Sequence, residues 1–208
     1  EDTETPEPTQ TQEIVHEMIP GEPLELSNTY LTDFNSFDFA GEGFTYGDQY
    51  LINRYERPFT REMVEYYGYL DLVLVNLKVN PPWTYAEIFL ADELPEEGEA
   101  TYSMELDLDE DGRGDILVTA LLPTSDEWTV GGVRVYQDVD GDVGGENPLI
   151  PDPVIETLTG YEELIFDAGV GDDSDLAWVR RHPEEPAALE IAYKTDLTQN
   201  AGYLWSVV

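Results

Sequence analysis

Residues Asp107-Leu108-Asp109-Glu110-Asp111-Gly112-Arg113-Gly114-Asp115 place aspartates at positions 1, 3, 5 and 9 of a short stretch, with glycine at position 6. Five acidic residues in so small a span repel one another unless a cation sits among them. A hard divalent cation needs several oxygens converging on one point. Alternate residues of a tight loop supply them, the glycine permits the bend, and the peptide carbonyl of Arg113 at position 7 completes the ring. The flanks restrict the fold further. Tyr102, Met104 and Leu106 alternate before the loop, and Ile116 to Leu122 is a β-rich apolar run after it. The stretch therefore predicts a strand, a cation loop and a returning strand.

The motif resembles the first nine positions of an EF-hand loop and departs from it afterwards: position 12, where that family carries a bidentate Glu, is Val118. With strands on both sides, it is similar to the calcium loops of integrin-type propeller repeats and other extracellular β modules. The resemblance implies Ca2+ as the ion and Asp107, Asp109, Asp111, Arg113 and Asp115 as its ligands. A second candidate runs from Asp138 to Glu146, with acids again at positions 1, 3, 5 and 9, but with valine at position 6 and the glycines displaced. Its ligands would be Asp138, Asp140, Asp142, Gly144 and Glu146; the competing reading is an ordinary glycine-rich turn. Asp167, Asp172, Asp173 and Asp175 form a third acidic group whose spacing fits no loop template. The first loop and the turn Pro123-Thr124-Ser125-Asp126 each reverse the chain, which predicts that both candidate loops lie at one end of one sheet.

A chain of 208 residues is long enough for one well-buried domain with tails. Its 41% hydrophobic content and 13 tyrosines exclude a wholly disordered polymer. With 46 acidic residues against nine basic ones, the net charge is −37. Nucleic acid and anionic membrane surfaces are excluded as partners, since both would be repelled. The acidity fits calcium binding, the solubility of a crowded surface protein, or a salt-loving source. There is no cysteine, so disulfides and thiolate metal sites are unavailable. No apolar run approaches the length of a membrane span. The first residue, Glu1, predicts a mature exported chain whose leader has been removed, acting in the extracellular space or at the cell surface.

Residues 1–13 form a low-complexity Thr/Pro/Glu segment, so 1–22 reads as an extended tail or linker and 23–208 as a β-sandwich domain. Residues 14–48 are irregular, punctuated by Pro20-Gly21, Pro23 and the cluster Gly41, Gly43 and Gly47. Pro58 to Tyr67 predicts one or two helical turns capped by Thr60. From there the pattern is β. Strand candidates are Leu70 to Val79, Tyr85 to Leu90, and 100–107, 115–122, 128–137, 161–167, 175–180, 187–194 and 203–208. No long helical segment intervenes, and the predicted fold is all-β, an antiparallel two-sheet sandwich. The span Tyr69 to Val75, opening its strand with Asp71, followed by Trp83 to Leu90 with its aromatics, is similar to carbohydrate-binding and DOMON-like sandwiches. That resemblance implies a non-catalytic binding module.

Catalytic chemistry has little to draw on. The two histidines, His16 and His182, read as a tail residue and a surface-turn residue, and no phosphate-cradling or zinc motif occurs. Trp128, Trp178 and Trp205 read as core, whereas Trp83, after Pro81-Pro82, reads as exposed and with Tyr85 is a candidate sugar platform. At least one of Arg180 and Arg181 is expected to pair with the Asp172–Asp175 group. The expected function is a non-enzymatic, calcium-stabilised structural subunit of a surface layer, sheath or filament, self-assembling through its N-terminal tail by strand addition. The alternatives are a lipoprotein-borne carbohydrate-binding module with a glycan partner and an acid-pair glycoside hydrolase.

Overall fold

The computed structural model describes residues 14–24, 29–33, 35–37, 65–143, 160–198 and 202–207. Gly144, Glu146, residues 1–13, the Gly41–Gly47 cluster and most of the expected helical turn at 58–67 lie outside them. Alternation translates directly into strands. Tyr102, Met104 and Leu106 of β4 (Thr101–Asp107) and Ile116, Val118 and Ala120 of β5 (Ile116–Leu121) are all buried on one face. With β6 (Val133–Gln137), β7 (Glu163–Asp167), β8 (Val170–Gly171) and β11 (Leu204–Val207), they build a six-stranded sheet of order β11-β4-β5-β6-β7-β8. The second sheet has five strands, β1 (Thr29–Thr32), β2 (Leu72–Asn80), β3 (Trp83–Leu90), β10 (Ala188–Lys194) and β9 (Ala177–Arg181), in the order β1-β2-β3-β10-β9. Every pairing is antiparallel.

The all-β, two-sheet expectation holds. The sheets share one core: Val75, Leu77, Ala86, Ile88, Leu189, Ile191 and Val179 from one side meet Met104, Leu106, Val118, Val133, Val135 and Phe166 from the other. Each fully buried aliphatic or phenyl side chain contributes roughly 1.5–3 kcal/mol over an exposed one, so these rows hold the layers together. The tyrosine hydroxyls that reach into the core find partners. Tyr102 donates to the Tyr69 carbonyl at 2.7 Å, and the Tyr193 and Tyr203 hydroxyls meet at 2.9 Å. The Asp71 noted in the sequence is fully buried, accepting from the Ser36 amide at 2.9 Å and from the Tyr66 hydroxyl. Strand candidate 128–137 is shorter than expected. Gly132 takes φ +78°, and residue Thr129 instead bridges to Val179, covering the outer edge of β9. No helix among the described residues is long and apolar enough to cross a membrane.

The five-stranded sheet buries its outer face as well. Trp83, Tyr85, Trp178 and Ala192 form a second cluster there, with Trp128 and Val130 against it. Over this face lies the segment 14–24, most of which the sequence assigns to the tail. His16 packs against Trp178 in a tilted ring contact, centroids 4.8 Å apart, and bonds Asp175 at 2.7 Å. The Glu17 and Met18 amides donate to the same carboxylate at 2.8 and 2.9 Å. Glu22 accepts two hydrogen bonds from Arg180, at 2.8 and 2.7 Å.

Both anchoring carboxylates titrate below their ordinary range. For Glu22 the chief cause is the hydrogen bond from Arg180. Burial pushes Asp175 up, but the bonds from the Met18 amide, His16 and the Glu17 amide outweigh it. A carboxyl depressed in the folded state contributes stability that is present above its unfolded pKa and lost as pH falls through the folded value. The segment is therefore expected to loosen on acidification below about pH 4, the ordinary carboxylate range. Amide exchange at Glu17 and Met18, corrected for its intrinsic pH dependence, should accelerate there; unchanged protection through that range would contradict the double clasp.

Candidate metal centre

One row of the six-stranded sheet brings the two acidic loops together. Ile116 pairs with Leu106 on one side and with Gln137 on the other. The next residues along, Asp107, Asp115 and Asp138, begin or end the loops, and the ladder continues through them: Asp115 N–H donates to Leu106 O and Asp138 N–H to Asp115 O, both at 2.9 Å. The expected placement of both loops at one sheet end is what the structure shows. They touch directly, since Arg113 Nη1 donates to Gly141 O at 2.7 Å.

Each loop folds around its first aspartate. Asp107, buried, accepts from the Asp111 amide at 3.2 Å and the Gly112 amide at 2.8 Å. Asp138, also buried, accepts from the amides of Asp140, Gly141 and Val143 at 3.1, 2.8 and 2.9 Å. Backbone N–H groups turned onto one carboxylate impose a tight curl, and the curl needs left-handed backbone at position 4. The first loop puts Glu110 there at φ +61°, followed by Gly112 at +89°; the second puts Gly141 there at +74°. The displaced glycine of the second loop thus serves the position that the first loop fills with a strained glutamate. Gly114 has a different reason: a Cβ would lie 2.0 Å from the Tyr161 hydroxyl and 2.4 Å from Glu105 Cγ.

In the first loop, Asp107, Asp109 and Asp115 each offer a carboxylate oxygen within 4.8 Å of the others. Asp115 also accepts the Leu108 amide at 2.6 Å. Asp111 is not in this group; its carboxylate accepts from the Arg113 amide at 2.9 Å. Arg113, whose carbonyl the sequence assigns to the ring, also spends its guanidinium on the second loop. There the gathered oxygens belong to Asp138, Asp140, Asp142 and Glu162. Glu162 was not among the expected ligands. It arrives from the segment entering β7, and its Oε2 also accepts the Val139 amide at 2.9 Å. The Asp140 carboxyl titrates above its ordinary range, first through desolvation and then through the charge of Asp142, a hydrogen bond with Glu162 and the charge of Asp138. Crowded carboxylates of this kind are ones a divalent cation would relieve.

A third gathering, Glu87, Glu190 and His182, sits on the outer face of the five-stranded sheet. Glu87 and Glu190 are directly paired across β3 and β10 and buried, at 4% and 1% exposed. Each already has a cation: Lys78 bonds Glu87, and Arg180 Nε bonds Glu190. His182 Nδ1 accepts from the Glu184 and Glu185 amides at 3.2 and 3.1 Å, which leaves the proton on Nε2. Carboxylates each already paired with a cation, beside a nitrogen without a free lone pair, make an ion-paired joint rather than a metal cage. The same burial and pairing take this acid pair away from a solvent-borne glycoside.

Other expectations are corrected. Trp83 and Tyr85 are 4% and 1% exposed, so neither offers a sugar platform; the segment 14–24 and Trp128 cover their face. Arg180 and Arg181 do not pair with the Asp172–Asp175 group. Arg180 bonds Glu190 and Glu22 and lies 4.4 Å from the Trp128 ring, and Arg181 binds the carbonyls of Pro123, Leu94 and Pro95. The third acidic group disperses instead: Asp167 pairs with Arg134, Asp173 with Lys194 and Asp175 with His16. Trp178 is buried as expected, though in the outer cluster, while Trp205 packs partly buried against the main core. The fold and site thus define an all-β protein of two antiparallel sheets carrying paired acidic loops at one end. Comparison with protein-family models, curated proteins and solved structures found no match.

The backbone geometry sets a clear expectation. At Gly141 an added Cβ meets nothing within 4 Å, so Gly141→Ala costs only the left-handed penalty, about 1–2 kcal/mol. Glu110→Gly relieves the same strain of about 1–2 kcal/mol in the first loop and, after the roughly 0.5–1 kcal/mol of entropy that glycine adds to the unfolded chain, should still gain stability. Thermal melts of the two variants should therefore shift in opposite directions, and a shift in the same direction would contradict the shared curl.

Proposed function

We propose that this chain is a non-catalytic, calcium-stabilised β-sandwich acting at or beyond the cell surface, as a structural subunit of a layer, sheath or filament. The observation that carries the reading is the joining of two acidic loops, each curled on a buried aspartate, at one end of one sheet. Calcium takes six to eight oxygens, and each loop presents three or four carboxylates, the remaining positions falling to carbonyl and water ligands. Several of those carboxylates are exposed, Asp109, Asp140 and Glu162 among them. Open sites of that kind bind weakly, in the range of about 10⁻⁴–10⁻³ M found for extracellular modules. They fill where calcium is millimolar. This affinity range supports an extracellular setting.

Calcium also addresses the charge. At −37, copies of this chain repel one another, and each bound ion removes two negative charges from the loop end. A structural role fits a surface whose described cations are already committed inside the fold. The glycan alternative has lost its aromatic platform, since Trp83 and Tyr85 are covered.

Titration calorimetry with calcium should show uptake at two sites per chain. Saturating calcium should add about 1–3 kcal/mol of stability relative to a chelator-treated sample, following the linkage between ligand occupancy and folding. Asp107→Asn should remove uptake at one site, and Asp138→Asn or Glu162→Gln at the other. A melting temperature indifferent to calcium and chelator alike would reject the proposal.

A further inference from the structure

Segment 16–22 is held in a way that a second copy of the chain can reproduce. Asp175, 1% exposed, accepts three hydrogen bonds from it: His16 Nδ1 at 2.7 Å and the Glu17 and Met18 amides at 2.8 and 2.9 Å. Ser174 Oγ donates to the Val15 carbonyl at 3.1 Å. Six residues after His16, Glu22 closes a two-bond clasp with Arg180, itself 4% exposed. Between the clasps Pro20 is buried, while Val15, Ile19 and Leu24 face outward at 72%, 62% and 55% exposed. The segment joins no strand ladder among the described residues. It is held by polar clasps and a few inward side chains, with most of its apolar surface uncovered. Such an element opens at a free energy well below that of global unfolding.

Opening is not neutral for what it uncovers. Asp175 would lose its imidazole and two amide donors, and Arg180 would keep one carboxylate of two, with the Trp83, Tyr85 and Trp178 cluster uncovered beneath. Buried charges stripped of partners are costly, so the groove requires an occupant. Its requirements are specific: an imidazole, two successive amides and a carboxylate six residues on. Any other copy of this chain carries that set, and exchanging identical segments restores every bond that the segment makes within its own chain.

We propose that the outer-face groove formed by Asp175, Trp178, Tyr85 and Arg180 accepts residues 16–22 of a second copy, so that subunits join by exchanging this segment. This rests on the self-assembly reading above and gives it a different physical mode: side-chain clasps on a sheet face, not strand addition at a sheet edge. The outward residues Val15, Ile19 and Leu24 would then lie between subunits, where apolar surface is covered.

The chain has no cysteine, so single-cysteine variants report the exchange cleanly. Val15→Cys protein and isotope-labelled Ser174→Cys protein, mixed in equal amounts with calcium and oxidised at high concentration, can form a mixed disulfide only between chains. Mass spectrometry should find the mixed dimer several-fold above either homodimer. Adding Glu22→Arg to the Val15→Cys chain should lower it roughly tenfold through loss of the charge-assisted clasp. A mixed dimer at or below the twofold excess over either homodimer that random pairing gives, or one indifferent to Glu22→Arg, overturns the proposal. Sedimentation of the unmodified chain separates the two failures. Assembly without the mixed disulfide means that subunits join through another surface. A chain that stays monomeric removes the self-assembly reading along with the exchange.

Discussion

The pairing of Ile116 with Leu106 and Gln137 is the constraint on which the candidate site rests. Antiparallel register is quantised: a slip by one residue would turn Met104, Leu106, Val118 and Val135 out of the core. Because those residues are fully buried, the register cannot move, and the loops that follow it cannot part. Each loop then needs only local chemistry to close, amides converging on Asp107 in one and Asp138 in the other. The acidic end is thus assembled by apolar packing several residues away from any acid.

A second theme is the placement of scarce positive charge. Among the described residues every cation serves a joint. Arg113 ties loop to loop, Arg134 ties β6 to β7, and Lys194 holds Asp173. Arg181 gathers carbonyls of Leu94, Pro95 and Pro123, bringing two connecting segments onto β9, and Arg180 sits between Glu190 and Glu22 under Trp128. In a chain of net charge −37 a mobile surface lysine would do little to lower the overall repulsion, whereas a buried guanidinium offsets specific carboxylates at close range. Among the described residues, the exposed charge is therefore mostly carboxylate.

Most strands were legible because their burial is one-sided and the side-chain period shows through, as in Tyr102, Met104 and Leu106. Where both faces are buried the period vanishes. Residues 83–90 are buried almost throughout, and Trp83 was misjudged because its cover comes from segment 14–24 and Trp128, far off in sequence. Strands β1 and β8, at four and two residues, are too short to show a pattern. Glu162 was missed for a related reason. A spacing rule finds ligands within one loop, and this residue reaches the second loop from the segment leading into β7. The Arg180 partners failed similarly, since proximity along the chain to Asp172–Asp175 pointed to the wrong acids.

By itself the amino-acid order determined an all-β chain of short antiparallel strands, the two acidic loops and their arrival at one sheet end. Those are local properties: alternation, glycine placement, and a count of chain reversals. Only the tertiary structure decided which oxygens gather, which tryptophans are covered, and where residues 14–24 lie. Each of those depends on contacts between segments far apart in sequence, where pairing energy is set by burial and charge in three dimensions and leaves no periodic trace in one.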